Sequence, residues 1–280
     1  MSERRVARAG PALLAACMLL AACAVGPLGA EAPQAQTQPP PQFALGQPYL
    51  GGPLPGGERL IHPPPEPGTT RMTIDEEANA RALSMQGSAR WQLAARDADL
   101  GDGWYGRAFS CAAGVRISAT ATPRIANVLR RAASDFGAST GAVKAQFQRT
   151  RPFMTNNAPT CTPQDEPFLR GNGSYPSGHS AIGYGTGMVL ASLFPERAAD
   201  LLARGRGYGN SRWVCNVHWY SDTEEARAFA AATYARLQAD ETFRADMALA
   251  REEASGLSPA PATEICDSEG MAPAGPQQED

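Results

Sequence analysis

Lysine is almost missing from this chain: of its 25 basic residues 24 are arginine, and Lys144 stands alone. Histidine is nearly as scarce, with only His62, His179 and His218 among 280 residues. A histidine-rich metal centre would have to enlist nearly all three, which makes such a centre a poor expectation. Six cysteines occur and none form a C-x-x-C pair, so a zinc knuckle is disfavoured as well. The formal charge of −3 and the aromatic content of 7% leave neither a basic groove nor a stacking platform, and no nucleic-acid partner is expected. No convincing alternation of apolar and polar residues marks a strand, and no set of membrane-spanning runs is present. What is present is 43% hydrophobic and 19% charged residues, enough for a packed core and too apolar for a disordered polymer.

Arg4, Arg5 and Arg8 precede a short apolar run from Pro11 to Ala22. A positive n-region and an apolar stretch too short to span a bilayer are the build of a secretory signal over residues 1–22, so the chain is expected to be exported, into the periplasm of a bacterium. Leu20-Ala21-Ala22-Cys23 resembles the lipobox of bacterial lipoproteins, in which the cysteine after the cut carries lipid. Two readings stay open: membrane attachment through lipid on Cys23, or an ordinary signal cut nearby, for instance after Ala30. Loss of residues 1–22 removes three arginines and Glu3, and lowers the formal charge to about −5. Cys111, Cys161, Cys215 and Cys266 then remain, an even set in an oxidising compartment, with three possible connectivities for two disulfides.

Twelve of the 24 prolines fall between Ala24 and Gly68, among glutamine and glycine. This composition predicts an extended, solvated tether over 23–59. A helix is expected from Thr73, with Glu76 in capping-box register, toward Ala98. A second opens at Thr122-Pro123, with Ile125, Val128, Leu129, Ala132 and Phe136 at helical spacing before Gly137. A third is expected over 139–150. Residues 178–194 are uncharged and carry Gly183, Gly185 and Gly187, which reads as a central buried helix in close contact with others. Further helices are expected at 195–206, 221–238 and 240–254. The fold class is therefore all-α, a single helical-bundle domain over 60–255, followed by a Pro/Ala-rich tail over 256–280 that Cys266 pins to the body.

Most of the scarce residue types sit in three short segments. Lys144 precedes Arg151-Pro152; Gly173-Ser174-Tyr175-Pro176-Ser177-Gly178-His179 follows; then come Ser211-Arg212, His218-Trp219 and Ser221-Asp222. The set resembles the tripartite signature of the type 2 phosphatidic acid phosphatase and vanadium haloperoxidase superfamily, and its second and third parts are most similar to the bacterial class A non-specific acid phosphatases. The likeness runs from the Pro63-Pro64-Pro65 stretch to about Glu252. It implies a metal-independent phosphatase of broad specificity toward small phosphate monoesters, with no cofactor, and self-association into a homodimer.

The residues support the same chemistry on their own. A phosphomonoester is a dianion, and Lys144, Arg151 and Arg212 offer three cations to hold it, two as planar forks and one as a point charge. Ser177 and Gly178 stand at a predicted helix N-terminus, where free N–H groups and the helix dipole favour an anion; Ser177 also suits a plain N-cap. His218 and Asp222 are four residues apart, so the carboxylate can fix the imidazole tautomer and leave a nucleophilic nitrogen for phosphorus. His179 then acts as general acid to the departing alkoxide and as base to the hydrolysing water. His62, in the proline-rich stretch, is expected to be merely exposed. Asp97, Asp99 and Asp102 look briefly like a calcium loop, but Ala108 occupies the twelfth position, where a glutamate is needed.

Cys161 and Cys215 lie in the family-like segments, whereas Cys111 and Cys266 lie outside them. The resemblance thus implies the pairs Cys161–Cys215 and Cys111–Cys266. Competing functions are a vanadium haloperoxidase using the same cationic cage, a lipid or isoprenoid phosphate phosphatase, and a non-catalytic envelope lipoprotein. The last has no need of an acid, a nucleophile and three cations together.

Overall fold

A computed structural model describes residues 43–54, 56–260 and 265–266. The signal expected over 1–22, Cys23, the first half of the expected tether and the tail beyond Cys266 lie outside the described residues. The helices in chain order are α1 Thr70–Ser84, α2 Ala89–Asp97, α3 Trp104–Ala113, α4 Pro123–Ser139, α5 Gly141–Phe147, α6 Pro152–Asn156, α7 Glu166–Arg170, α8 Gly178–Leu193, α9 Ala198–Val214, α10 Tyr220–Ala239 and α11 Glu241–Ser255. No strand occurs among the described residues, so the protein is all-α as expected, and no described helix is long and apolar enough to cross a membrane.

The apolar run over 178–194 does become the central helix. α8 packs against α9, α10 and α4, and its buried face includes Ile182, Val189 and Leu190. Its glycines are where neighbouring chains come closest. A Cβ on Gly187 would sit 2.7 Å from the Leu201 carbonyl oxygen of α9, and one on Gly205 would sit 2.9 Å from the Gly183 carbonyl oxygen of α8. The two helices are therefore in backbone contact, which only a missing side chain permits. The same glycines explain why the helix expected at 195–206 is observed as α9 over 198–214. Gly205, Gly207 and Gly209 read locally as helix breakers, yet in α9 they form the surface that meets α8 or lie beside it. This extension carries Ser211-Arg212 onto the last turn of a buried helix.

The helix expected from Thr73 to Ala98 is two helices. Thr69, not Thr73, is the first N-cap, its hydroxyl accepting from Met72 N at 3.3 Å. The chain turns at Gly87, with φ 76°, before Ser88 caps α2. α3 was not expected; nine of its ten residues are buried, and positive-φ glycines flank it at Gly103 and Gly114. The third expected helix is shorter, 141–147, because Gln148 turns to φ 45°.

The solvated tether expected over 23–59 is also corrected where it is described. Residues 44–50 are bonded to the body: Ala44 N–H donates to Leu100 O at 2.8 Å and Gly46 N–H to Arg130 O at 2.9 Å. Tyr49 and Leu50 donate their N–H groups to the two carboxylate oxygens of buried Asp135 at 2.8 and 2.9 Å. A buried carboxylate needs donors, and an irregular segment has free N–H groups to offer. Proline content alone carries no trace of that pairing. At the other end Cys266 is joined to Cys111 of α3, and Cys161 is joined to Cys215.

Substituting Gly187→Ala is expected to lower unfolding free energy by about 1–3 kcal/mol, because backbone must move to admit the methyl group. Gly141→Ala, which meets nothing within 4 Å, is expected to be neutral or mildly stabilising. Urea unfolding of both variants checks the contrast.

Candidate active site

The three sequence segments converge on one cavity of about 320 Å³. Lys144 reaches it from α5, Arg151 from the N-cap of α6, Gly178 and His179 from the first turn of α8, Arg212 from the last turn of α9, and His218 from the loop before α10. Ser177 and Asp222 stand behind this wall with no exposed surface. Ser177 is the N-cap of α8: its hydroxyl accepts from Ser180 N at 3.2 Å and lies 2.8 Å from the Ser180 hydroxyl, while its own N–H donates to Asp222 O at 2.9 Å. The N–H groups of Gly178 and His179 open the helix, where none has an intrahelical acceptor.

His218 and Asp222 meet, though not as neighbours on one helix. Trp219 is the N-cap of α10 and Asp222 its third residue, so the carboxylate folds back over the helix start and accepts from Trp219 N at 2.9 Å. The same oxygen, Oδ2, lies 3.1 Å from His218 Nδ1 and accepts from the Ser174 hydroxyl in a short bond. Oδ1 accepts from Arg149 Nη1 at 2.6 Å. Burial pushes the Asp222 carboxyl up, but Arg149 and the bonds from His218 and Ser174 outweigh it and hold the group below the ordinary carboxylate range. An ionised carboxylate at Nδ1 places the ring proton there and leaves the lone pair on Nε2. Burial and then the charge of Arg151 lower the His218 pKa well below 6.5, so the imidazole is neutral.

The cations differ in how they are held. Arg151 donates from Nε to Leu169 O and Asn172 O, each at 3.0 Å, and from Nη1 to Val217 O at 2.8 Å; Nη1 also lies 3.0 Å from His218 Nε2. Burial lowers its pKa to about 9. Lys144 Nζ donates to Gly173 O at 2.7 Å and Ser174 O at 3.2 Å, and burial followed by repulsion from Arg151 pushes its pKa well down. Arg212 is buried, yet its Nε and Nη1 have no hydrogen-bond partner among the described residues. Buried guanidinium nitrogens without acceptors at the wall of a cavity are what an anionic ligand would satisfy.

His179 lies against Tyr208, ring centroids 4.9 Å apart and planes within 4°, and its Nε2 is 2.6 Å from the Asp97 carbonyl oxygen. Burial, then Arg212, lowers its pKa well below 6.5, with the bond to Asp97 O acting in the opposite direction. His62 is exposed and absent from the cavity wall.

Reading the sequence did not single out Arg149 and Asp75. Arg149 Nη2 donates to Asp75 Oδ2 at 2.7 Å, and Asp75 in turn accepts from Ser221 N and Ser221 Oγ, both at 2.7 Å. α1 is thereby tied to the start of α10. The signal was weak: Arg149 is one of 24 arginines, and Asp75 lies in an acidic stretch that reads as a solvated helix face. Thr162 was also passed over; it lines the cavity beside Cys161 with a buried hydroxyl that has no partner among the described residues.

Residues 128–240 match the PAP2 superfamily. Over 193 residues the chain is 39% identical to an acid phosphatase of Zymomonas mobilis subsp. mobilis, covering 69% of this chain and 73% of that protein. It is 41% identical over 194 residues to a non-specific acid phosphatase of Salmonella typhimurium, covering 69% and 78%, and 36% identical over 199 residues to one of Providencia stuartii, covering 71% and 80%.

Arg149→Met leaves two buried carboxylates without their shared cation and is expected to cost about 3–5 kcal/mol of stability, measured by urea unfolding. Protonation gives a second expectation. Both cavity imidazoles titrate below 6.5 when folded, while in the unfolded chain they titrate near about 6.5, so below that pH the unfolded state binds more protons. The melting temperature should therefore fall as pH drops from about 6.5 toward the folded values. A melting temperature that rose on acidification would contradict the burial of two neutral rings.

Proposed function

This chain belongs to the PAP2 superfamily, alongside the bacterial non-specific acid phosphatases, and on that premise we propose that it hydrolyses small phosphate monoesters through a phosphohistidine at His218. The carrying observation is the cavity itself, where a neutral imidazole oriented by Asp222 faces a wall that also holds Lys144, Arg151 and Arg212.

The phosphoryl oxygens accept from Arg212, whose free nitrogens need acceptors, from Lys144 and Arg151, and from the N–H groups at the start of α8. As phosphate enters, the Arg151 Nη1–H hydrogen bond turns from His218 Nε2 to a phosphoryl oxygen, Arg151 keeping its proton, and the Nε2 lone pair is freed. Nε2 attacks phosphorus, the bond from phosphorus to the leaving oxygen breaks, and its electron pair stays on that oxygen, which takes a proton from His179. The new positive charge on the His218 ring is shared through Nδ1–H with Asp222. In the second half water attacks phosphorus, gives its proton to His179, and the bond to Nε2 breaks to release inorganic phosphate. Ser177 supports this chiefly by capping α8, and its hydroxyl is a further candidate donor to phosphate.

Export belongs to the same reading. The arginine-led apolar run before residue 23 and the two disulfides both suit an oxidising compartment such as the periplasm. Intact mass of the mature protein distinguishes lipid on Cys23 from a plain signal cut.

Wild type should hydrolyse p-nitrophenyl phosphate with EDTA present, and His218→Asn should lose at least about a thousandfold in kcat. Loss of wild-type activity in chelator would refute the metal-free route. Because His218 must be neutral and His179 protonated, kcat should be bell-shaped in pH. Burial and then Arg212 depress His179 in the free enzyme, and a bound dianion opposes them, so kcat/KM should decline at lower pH than kcat on the alkaline side.

A further inference from the structure

Asp97 is not in the signature, and the reaction above makes no use of it. It is nevertheless the last residue of α2, and its carbonyl oxygen lies 2.6 Å from His179 Nε2. A carbonyl can only accept, so Nε2 carries the proton and the neutral ring holds its lone pair on Nδ1. The terminal carbonyl of a helix has no intrahelical donor and sits at the negative end of the helix dipole, a setting that favours an imidazolium beside it.

The carbonyl is held by an unusually complete set of contacts to its own side chain. The buried Asp97 carboxylate receives both arms of Arg204, Nη2 to Oδ1 at 2.5 Å and Nη1 to Oδ2 at 3.1 Å, and the Ser211 hydroxyl at 2.6 Å. Arg204 Nε donates to Ala108 O at 2.8 Å, and Arg90 Nη1 donates to Ser211 Oγ at 3.0 Å. Thus α2 and α9 meet at Asp97, Arg204 ties α3 to the same cluster, and Ser211 neighbours Arg212 in the chain. Stacking on Tyr208 fixes the plane of the His179 ring, and the bond to Asp97 O fixes its rotation within that plane.

We propose that Asp97 is a positioning residue for proton transfer: its carbonyl holds His179 as the Nε2–H tautomer so that Nδ1 delivers the proton to the leaving group, and the Arg204 and Ser211 clamp keeps that carbonyl in place. The inference rests on the acid role given to His179. In the step itself the Nδ1–H bond breaks as the oxygen–hydrogen bond of the leaving alcohol forms, while Nε2–H stays on Asp97 O throughout. In the second half Nδ1 takes the proton of the attacking water, which restores the starting state.

With only three histidines, long-range proton–nitrogen spectra of the ¹⁵N-labelled wild-type protein can be assigned ring by ring. The expected result is Nε2–H for His179 and Nδ1–H for His218; an Nδ1–H tautomer at His179 overturns the proposal. Kinetics supply the second arm. Asp97→Asn keeps the carbonyl and the side-chain size but loses the charge paired with Arg204. It should lower kcat roughly tenfold on an alkyl phosphate, whose leaving group needs a proton, and less than about twofold on 2,4-dinitrophenyl phosphate, whose leaving group does not. Equal losses on both substrates would mark Asp97 as merely structural and sink the proposal. Should Asp97→Asn fail to fold, Arg204→Lys is read in the same way. His179→Asn should show the same selectivity between substrates at larger amplitude; if it does not, the acid role falls while the tautomer measurement still stands by itself.

Discussion

A carboxylate with no contact to solvent, Asp222, is the constraint from which the site is built. Removing such a charge from water is expensive unless its lone pairs are all occupied. Here they are filled by four groups from three parts of the chain: the His218 ring and the adjoining Trp219 N–H, the Ser174 hydroxyl and the Arg149 guanidinium. Each of these partners is thereby placed. His218 is turned so that Nε2 faces the cavity, the N-terminus of α10 is capped, and Arg149 bridges onward to Asp75 and α1. One unpaired charge would be intolerable, so the group behaves as a unit and not as a catalytic dyad with decoration.

Crowding three cations into one wall poses the opposite electrostatic problem. Burial in a poorly solvated space lowers the pKa of Lys144, Arg151 and Arg212 alike, and repulsion from neighbouring cations adds to it at Lys144 and Arg151. The chain offsets this with main-chain carbonyls: Lys144 rests on Gly173 and Ser174, and Arg151 on Leu169, Asn172 and Val217. Phosphoryl oxygens are acceptors of the same kind with more charge, so binding exchanges one set of hydrogen bonds for a stronger one. Arg212, with Nε and Nη1 lacking an acceptor among the described residues, gains most from that exchange.

Close helix contact supplies the precision. Because α8 and α9 touch through glycine, the first turn of one lies beside the last two turns of the other, and His179 can stack on Tyr208. Asp97 enters the same layer from α2. The residue that looked for a moment like part of a calcium loop is instead engaged by Arg204 and Ser211.

Much was legible from residue order alone. The all-α class, the central helix over 178–194 and the helix opened by Pro123 follow from local periodicity and capping, and the candidate set of Lys144, Arg151, Ser177, Gly178, His179, Arg212, His218 and Asp222 from its resemblance to a family signature. Those signals are short-range or compositional, so a linear reading can find them. Export and the state of Cys23 were likewise read only from residue order. Packing decided the rest. α3 is a short helix between two positive-φ glycines that owes its place to burial of nine of its ten residues, α9 runs through glycines that a local reading takes as breaks, and residues 44–50 are fixed by a carboxylate some 85 positions away. Arg149, Asp75 and Asp97 are ordinary charged residues in a chain that has many. Their meaning comes from burial and from partners distant in sequence, which only the folded chain brings within hydrogen-bonding reach.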